Sequence, residues 1–282
     1  MRVDSQRLKA RFDALKEINK PGLISFITAG DPDLQTSERI LQGLPEAGTD
    51  IIELGMPFSD PMADGPTIQA SSQRALENGQ TMALTLEMVG KFRENNDKTP
   101  IVLMGYYNPI YIYGNQRFAQ DAAIAGVDGL IIVDLPPEED EELRKPLCDS
   151  GIDIVRLITP TSDESRLPKL VSTANGFLYY VSVTGITGTK SAAINSVQDA
   201  CNKIRRFSSL PIAVGFGIKT PEQAKKIAQI ADAAVVGSAI VKKIEDEVLK
   251  QKDNESFSSP NLIKTVLSLV STFSNAVKMA RS

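Results

Sequence analysis

The segment IIELGMPFSDPMADGPTIQASSQRAL, residues 51–76, contains three patterns in succession. Residues 51–55 form a short apolar run, the next residues form a loop rich in proline, and a helical periodicity follows. A run that is almost continuously apolar is typical of a parallel strand covered on both faces. The segment therefore predicts one unit of β-strand, loop and α-helix.

The same unit recurs along the whole chain of 282 residues. Eight apolar runs occupy residues 23–29, 51–55, 101–106, 129–135, 153–159, 177–183, 211–217 and 233–239. A segment of helical periodicity follows each run, the longest being residues 67–95. Eight such units predict a (β/α)8 TIM barrel as a single domain over residues 1–282, with an added N-terminal helix that contains Leu8 and Phe12. A doubly wound parallel sheet is the alternative architecture.

Composition limits the class of partner and the compartment. The 31 basic and 35 acidic residues give a net charge of −4, and no basic stripe alternates with aromatic residues, so no nucleic acid partner is expected. No apolar run approaches the roughly 18 residues of a membrane span, and the charged N-terminus lacks a signal-peptide core. Cys148 and Cys201 lie far apart without a metal-ligand spacing. We expect a cytoplasmic protein, or one of the plastid stroma, that binds a small molecule.

The chain contains no histidine. Histidine is the commonest general base and metal ligand and a member of most nucleophilic triads. Acid–base chemistry is therefore expected from carboxylates, tyrosines or lysines, and no metal site is expected.

Glu53 is the only charged residue in the run 51–55. Its side chain must point into the barrel or between the barrel and its helices, and both places are dry. Burial raises the pKa of a carboxyl group toward neutrality, which suits an acid–base catalyst. A structural ion pair is the alternative, but catalytic residues of this fold gather at the C-terminal ends of strands, which favours function.

Asp64 lies in the loop MPFSDPMADGP, residues 56–66, which carries three prolines. From the residues alone, an aspartate before a glycine is most simply a turn residue. Asp60 before Pro61 has the same interpretation. The loop nevertheless belongs to the face of the barrel where chemistry is expected.

Three glycine-rich turns follow the last three predicted strands, at residues 184–191, 215–223 and 237–244. Glycine lets backbone N–H groups approach an anion closely, and the third turn opens a helix at Ser238. Phosphate sites of this fold recur at these loops. We expect a phosphorylated substrate.

Other residues carry weaker indications. Phe26 and Tyr179 lie within strands, where aromatic side chains are more often core packing. Asp134 ends the fourth strand and suits either polar support of a site or a structural cap. The tyrosines of residues 105–114 suit either packing or a partner surface.

Cleavage of a sugar phosphate between carbons needs an electron sink, commonly a lysine Schiff base or a metal. No predicted strand contains a lysine, although Lys190 and Lys219 lie on loops and leave a loop-borne Schiff base open. A buried carboxylate acting on a substrate that carries its own sink fits the composition better. Isomerisation or epimerisation by a carboxylate base is the alternative.

Long stretches of the chain closely resemble the α subunit family of tryptophan synthase. They are SFITAGDPD (25–33), ELGMPFSDPMADGP (53–66), MGYYNP (104–109), LIIVDLPPEE (130–139), GFLYYVSVTGITG (176–188), VGFGIKTPEQ (214–223) and VVGSAIVK (235–242). The resemblance implies a (β/α)8 lyase of tryptophan biosynthesis. Such an enzyme cleaves indole-3-glycerol phosphate to indole and glyceraldehyde 3-phosphate by a retro-aldol step, with the protonated indole ring as the sink.

The resemblance also assigns roles by motif. Glu53 matches the general acid–base carboxylate, and Asp64 matches the aspartate that engages the indole N–H; Thr187 belongs to a loop that closes over the site and contacts Asp64. The implied indole pocket and its surroundings comprise Phe26, Met104, Val133, Leu157, Tyr179, Thr187 and Phe216. The implied phosphate site comprises Gly188, Gly217, Gly237 and Ser238.

A β-subunit partner follows from the same resemblance. The family forms an α2β2 heterotetramer in which indole passes to the β subunit, and pyridoxal phosphate is the cofactor of that partner, so no cofactor is expected in this chain. The implied contact surface comprises Pro57, Asp60, Asn108, Pro109 and Pro136.

Two other functions compete with this lyase. An indole-glycerol-phosphate synthase would need a catalytic lysine at a strand end, which the sequence does not show. A non-catalytic regulatory subunit that only activates a β partner is the second alternative. The presence of both Glu53 and Asp64 argues against it.

Overall fold

The computed structural model of the chain describes residues 6–182, 190–215, 217–252 and 259–281. Nine strand segments form one sheet in which every neighbouring pair is parallel, in the order β5-β4-β3-β2-β1-β9-β8-β7-β6. The strands are β1 (Gly22–Thr28), β2 (Ile51–Gly55), β3 (Ile101–Gly105), β4 (Gly129–Ile132), β5 (Asp153–Ile154), β6 (Arg156–Ile158), β7 (Leu178–Val181), β8 (Ile212–Gly215) and β9 (Ala233–Val236). The helices are α1 (Arg7–Glu17), α2 (Leu34–Gly43), α3 (Pro66–Glu77), α4 (Met82–Arg93), α5 (Tyr107–Tyr113), α6 (Asn115–Ala125), α7 (Glu141–Asp149), α8 (Leu167–Ser172), α9 (Lys190–Arg205), α10 (Pro221–Ala228), α11 (Ser238–Lys252) and α12 (Ser259–Lys278).

The two end strands of the sheet, β5 and β6, are parts of one strand. Only Val155 separates them, and β5 pairs with β4 while β6 pairs with β7. The Val155 N–H donates to the Leu130 carbonyl at 3.0 Å, so the β4 ladder continues through the interruption. The sheet therefore closes, and the predicted (β/α)8 barrel is confirmed. The single strand predicted at 153–159 has two parts.

The helical segment predicted at residues 67–95 is two helices, α3 and α4. Gly79 between them has φ of +82°, which a right-handed helix does not allow. Thr81 then caps α4, because its hydroxyl accepts from the Leu84 N–H at 3.2 Å. The prediction of one continuous helix was wrong for this local reason.

Helix α1 covers the N-terminal end of the barrel. Leu8 and Phe12 belong to the cluster that fills the barrel interior, and the ring of Phe12 lies 5.6 Å from that of Phe177. Arg7 Nε donates to Asp128 at 2.7 Å and fixes the helix at this end. The added N-terminal helix is confirmed, and it leaves the C-terminal ends of the strands as the open face.

A second, larger core lies between the strands and the surrounding helices. It includes the fully buried rings of Phe92, Phe118 and Phe273. None of the described helices combines the length and apolar character that a membrane crossing requires. Buried side chains thus form two clusters, one inside the barrel and one between the barrel and its helices. The site described below lies inside the barrel.

Candidate active site

Glu53 lies inside the barrel, above the interior cluster. It shares its side of β2 with Ile51, which packs in that cluster, because alternate residues of a strand face the same way. In the parallel register it lies between Phe26 of β1 and Val102 of β3. The residue is 2% exposed, as expected for a side chain in the barrel interior.

The environment of Glu53 changes its protonation. Its Oε1 atom is buried and has no hydrogen-bond partner within the described chain. Burial, and secondarily the charge of Asp64, raises the pKa of Glu53 from 4.5 to about 8. A carboxyl group with this pKa holds its proton at neutral pH and can donate it.

Asp64 is held in place by its own loop and by β3. Its N–H donates to the Pro61 carbonyl at 3.0 Å, and Gln69 Nε2 donates to its carbonyl at 2.9 Å. Tyr106, directly after β3, donates its hydroxyl hydrogen to Asp64 Oδ2 at 3.1 Å. Burial raises the pKa of the Asp64 carboxyl, and the hydrogen bond from Tyr106 opposes that rise. Since the charge of Asp64 acts on Glu53, the structure brings the two carboxyl groups into one site.

Tyr106 is the polar residue that sequence reasoning missed. It is 3% exposed, its hydroxyl also accepts from the Ala63 N–H at 3.0 Å, and its ring lies 5.4 Å from that of Phe58. The sequence interpretation treated the tyrosines of this region as packing or partner surface. Its position at the end of a strand, where functional residues of this fold gather, was the available signal.

The side chains predicted to line an indole pocket converge above the same interior cluster. Each lies two residues after a member of that cluster, either on the same strand or just past the end of the strand. Its side chain therefore faces the same way as that member. These residues are Phe26, Met104, Val133, Leu157 and Tyr179. Burial, and secondarily the charge of Glu53, raises the pKa of the Tyr179 hydroxyl, so Tyr179 lies close to the carboxyl group. Phe216 lies outside the described residues.

Of the three glycine-rich turns, the third lies within the described chain, and so does the second except for Phe216. Gly217 follows β8 with φ of +77°, and Gly237 precedes α11, whose Ile240 N–H donates to the Gly237 carbonyl at 2.8 Å. Helix α11 begins at Ser238 and runs for 15 residues, so its first amide groups have no partners within the helix. This arrangement can hold an anion. Thr187 and Gly188 lie outside the described residues.

The residues predicted to contact a partner follow three neighbouring strands, β2, β3 and β4, at the open face. Asp60, Asn108 and Pro136 are exposed, while Pro57 and Pro109 are partly buried. Large apolar side chains stand exposed beside them: Met62 is 79%, Tyr111 62% and Ile112 77% exposed. The loop that carries Asp64 and the helix α5 therefore both expose large apolar side chains at this face.

A cavity of about 740 Å³ opens at the opposite end of the barrel, against α1. Two of its lysines are engaged within the chain: Lys9 contacts Asp13, and Lys20 donates to the carbonyls of Lys278 and Arg281. The cavity also lies away from Glu53. We therefore place the chemistry at the C-terminal face.

Comparison with known proteins identifies the family. The model of the family described as "Tryptophan synthase alpha chain" matches residues 12–268. The chain belongs to the tryptophan synthase alpha chain family. Among solved structures, the tryptophan synthase alpha chain of Legionella pneumophila subsp. pneumophila is 35% identical with a TM-score of 0.84, covering 96% of this chain and 97% of that one. Subunit alpha of tryptophan synthase from Legionella pneumophila str. Paris is 36% identical with a TM-score of 0.85, covering 96% and 98%.

Tryptophan synthase of M. tuberculosis, in an aminoacrylate-bound form, contains a similar chain at 31% identity with a TM-score of 0.83, covering 96% of this chain and 99% of that one. As a tryptophan synthase alpha chain, the protein is a lyase of tryptophan biosynthesis that cleaves indole-3-glycerol phosphate to indole and glyceraldehyde 3-phosphate. Membership also implies a β-subunit partner. The resemblance inferred from the sequence is confirmed, and this reaction replaces the isomerase and synthase alternatives.

Proposed function

We propose that Glu53 and Asp64 perform the cleavage of indole-3-glycerol phosphate in separate roles. Glu53 donates its proton to C3 of the indole ring. The ring then carries a positive charge, and the Asp64 carboxylate accepts a hydrogen bond from the indole N–H and stabilises that charge. The bond between C3 and the side chain breaks, and its electron pair returns to the ring.

The same step regenerates the acid. As the bond breaks, the hydroxyl on the departing carbon loses its proton to the Glu53 carboxylate and becomes the aldehyde of glyceraldehyde 3-phosphate. One proton is given and one is taken, so no other reactant is needed. This fits a substrate that carries its own electron sink.

The buried carboxyl group of Glu53, with an oxygen that has no hydrogen-bond partner among the described residues, is the observation that supports this proposal most. An ordinary glutamate would be ionised at neutral pH and could not serve as a proton donor there. A pKa of about 8 keeps Glu53 protonated before substrate arrives.

Binding is proposed to use both ends of the substrate. The indole ring would pack among Phe26, Met104, Val133, Leu157, Tyr179 and Phe216. The phosphate group would accept hydrogen bonds at Gly217, Gly237 and Ser238, where the N-terminus of α11 favours an anion. Gly188 and Thr187, which lie between β7 and α9 in the sequence, would complete the site.

The partner arrangement is proposed from the family. The chain would pair with the β subunit in an α2β2 heterotetramer through the surface of Pro57, Asp60, Asn108, Pro109 and Pro136, and pyridoxal phosphate would be bound by the β subunit alone. A cytoplasmic location fits this assembly. Light scattering of the purified complex tests the stoichiometry, and a mass other than that of four subunits would contradict it.

Substitution of the acid tests the chemical proposal. Glu53→Gln keeps the size of the side chain but has no proton to give, so indole release should fall by roughly 10²- to 10⁴-fold. Binding of a non-cleavable indole phosphate analogue should stay nearly unchanged. Glu247→Gln, at a buried glutamate of α11 that pairs with Lys243 and Lys250, is the control and should keep its rate. Turnover by Glu53→Gln equal to that of the unsubstituted enzyme would overturn the proposal.

A further inference from the structure

The hydroxyl of Tyr106 makes two hydrogen bonds to the loop that carries Asp64. It accepts from the Ala63 N–H at 3.0 Å and donates to Asp64 Oδ2 at 3.1 Å. Because a hydroxyl has one hydrogen, accepting from Ala63 leaves that hydrogen for the carboxylate. One atom therefore holds both the backbone before Asp64 and the side chain of Asp64.

The ring that carries this hydroxyl is firmly anchored. Tyr106 is 3% exposed and packs against Phe58. The backbone on both sides of the residue is tied down: the Met56 N–H donates to the Met104 carbonyl at 2.8 Å, and the Tyr107 N–H donates to Asp134 Oδ1 at 2.8 Å. The barrel wall thus fixes the position of the hydroxyl.

Asp64 depends on such a contact because its own loop supplies little else to its side chain. The two loop hydrogen bonds of Asp64 involve its backbone N–H and carbonyl, whereas the bond from Tyr106 reaches the carboxylate. A hydrogen bond donated to a carboxylate favours its ionised form, while burial disfavours that form. The charge on Asp64 is what the indole ring needs during cleavage.

We propose that Tyr106 is a positioning residue that holds the Asp64 carboxylate, ionised, toward the indole ring. The inference rests on the proposed role of Asp64. Tyr106 itself moves no proton of the substrate. Its effect is on how often Asp64 is both ionised and correctly placed when the ring becomes charged.

The test is Tyr106→Phe in the complex with the β subunit, which keeps the ring and removes only the hydroxyl. The kcat for indole release should fall roughly 10- to 100-fold, the range expected for a hydrogen bond to a charged group. KM should change less than about threefold, since the phosphate and ring contacts persist. The acidic limb of the kcat/KM profile should move to higher pH, because Asp64 loses a bond that favours its ionised form.

Tyr113→Phe is the matched control. Its hydroxyl also donates to a carboxylate, Asp121 at 2.6 Å, but at the far end of α5. It should leave kcat and the pH profile unchanged. Wild-type kcat and an unmoved acidic limb in Tyr106→Phe would overturn the inference, as would a loss of kcat without movement of that limb, which indicates only a packing role.

A second variant covers failure of Tyr106→Phe to fold. Fluorotyrosine at position 106 keeps the ring and the hydroxyl but makes the hydroxyl a stronger donor. The acidic limb should then move to lower pH, and an unmoved limb would overturn the inference. Asp64→Asn, measured in parallel, tests the underlying role: if it keeps normal indole release, the role of Asp64 fails, whereas a negative result for Tyr106 alone leaves that role standing.

Discussion

Phe26 on β1 lies directly beside Glu53 on β2, and two glycines confine its ring. A Cβ atom placed on Gly55 would lie 2.6 Å from Cζ of Phe26, and one on Gly237 would lie 3.2 Å from its Cβ. The first distance is too short for real atoms, so the ring would have to move. The wall of the proposed indole pocket beside the Glu53 carboxyl group therefore depends on the absence of a side chain at Gly55.

Gly55→Ala should displace the Phe26 ring and weaken binding of the indole group. We expect KM for indole-3-glycerol phosphate to rise about tenfold, measured by steady-state indole release, with partial recovery in the double variant with Phe26→Leu. Gly90→Ala is the control, because a Cβ there meets nothing within 4 Å and alanine suits the interior of α4. An unchanged KM in Gly55→Ala would contradict this account of the pocket.

Glu53 should lower the stability of the fold as pH rises. Its pKa of about 8 in the folded chain exceeds its usual 4.5, so between these values the folded chain holds a proton that the unfolded chain has lost. The free energy of unfolding therefore decreases across that range. Since one pKa unit corresponds to about 1.4 kcal/mol, the cost above pH 8 is at most about 5 kcal/mol.

Glutamine cannot ionise, so Glu53→Gln should melt at a higher temperature than the unsubstituted chain near pH 8.5 and at a similar one near pH 5. Thermal unfolding followed by circular dichroism measures this. The opposite sign is expected for Glu247→Gln at high pH, because Lys250 and Lys243 hold the pKa of Glu247 below its usual value. Equal melting temperatures for the Glu53 variant and the unsubstituted chain at both pH values would contradict a raised pKa at this buried carboxyl group.

Arg74 and Asp31 form an ion pair that fixes the helix after the Asp64 loop. Arg74 of α3 donates to Asp31 Oδ1 at 2.8 Å and Oδ2 at 3.0 Å, and the Asp31 side chain is 0% exposed. Arg74→Met should cost about 3–5 kcal/mol, because it leaves a buried charge without its partner. The double variant with Asp31→Asn should recover much of that loss in urea unfolding. Lys9→Met, at an exposed pair, should change stability by about 0–1 kcal/mol.

A charge on the exposed face of α5 should weaken the complex with the β subunit. Ile112 is 77% exposed, close in sequence to Asn108 and Pro109, so Ile112→Lys should raise the dissociation constant at least about tenfold in a calorimetric titration. The basal rate of the isolated chain should not change. Ile124→Lys, at an 85% exposed residue of α6, should bind normally. Equal affinities for the two variants would place the partner surface elsewhere.

The pattern of the sequence predicted the barrel because each parallel strand is covered on both faces and is apolar throughout. Local features that depend on a few backbone angles were not predicted. The interruption falls at Val155, which is itself apolar and β-branched, so the pattern does not mark it. The break at Gly79 was marked by a glycine and the cap at Thr81, which the longer helical periodicity obscured.

The residues of the site likewise differ in whether the sequence could indicate them. Glu53 could be singled out from its place in an apolar strand, because a lone carboxylate there must be buried. Asp64 could not, since a loop aspartate before a glycine is usually a turn residue and only the resemblance gave it a role. Tyr106 contacts Asp64 across 42 residues of chain, and no local spacing encodes such a contact.

The titration of the Glu53 carboxyl group tests the central claim most directly. Carboxyl-carbon NMR of chain labelled at glutamate, with Glu53→Gln to assign the signal, measures its pKa in the free protein. We predict a value near 8, and a lower one in Asp64→Asn because the charge of Asp64 is the second cause of the shift. A Glu53 signal that titrates near 4.5 would show a carboxylate already ionised at neutral pH, and would contradict its proposed role as the proton donor.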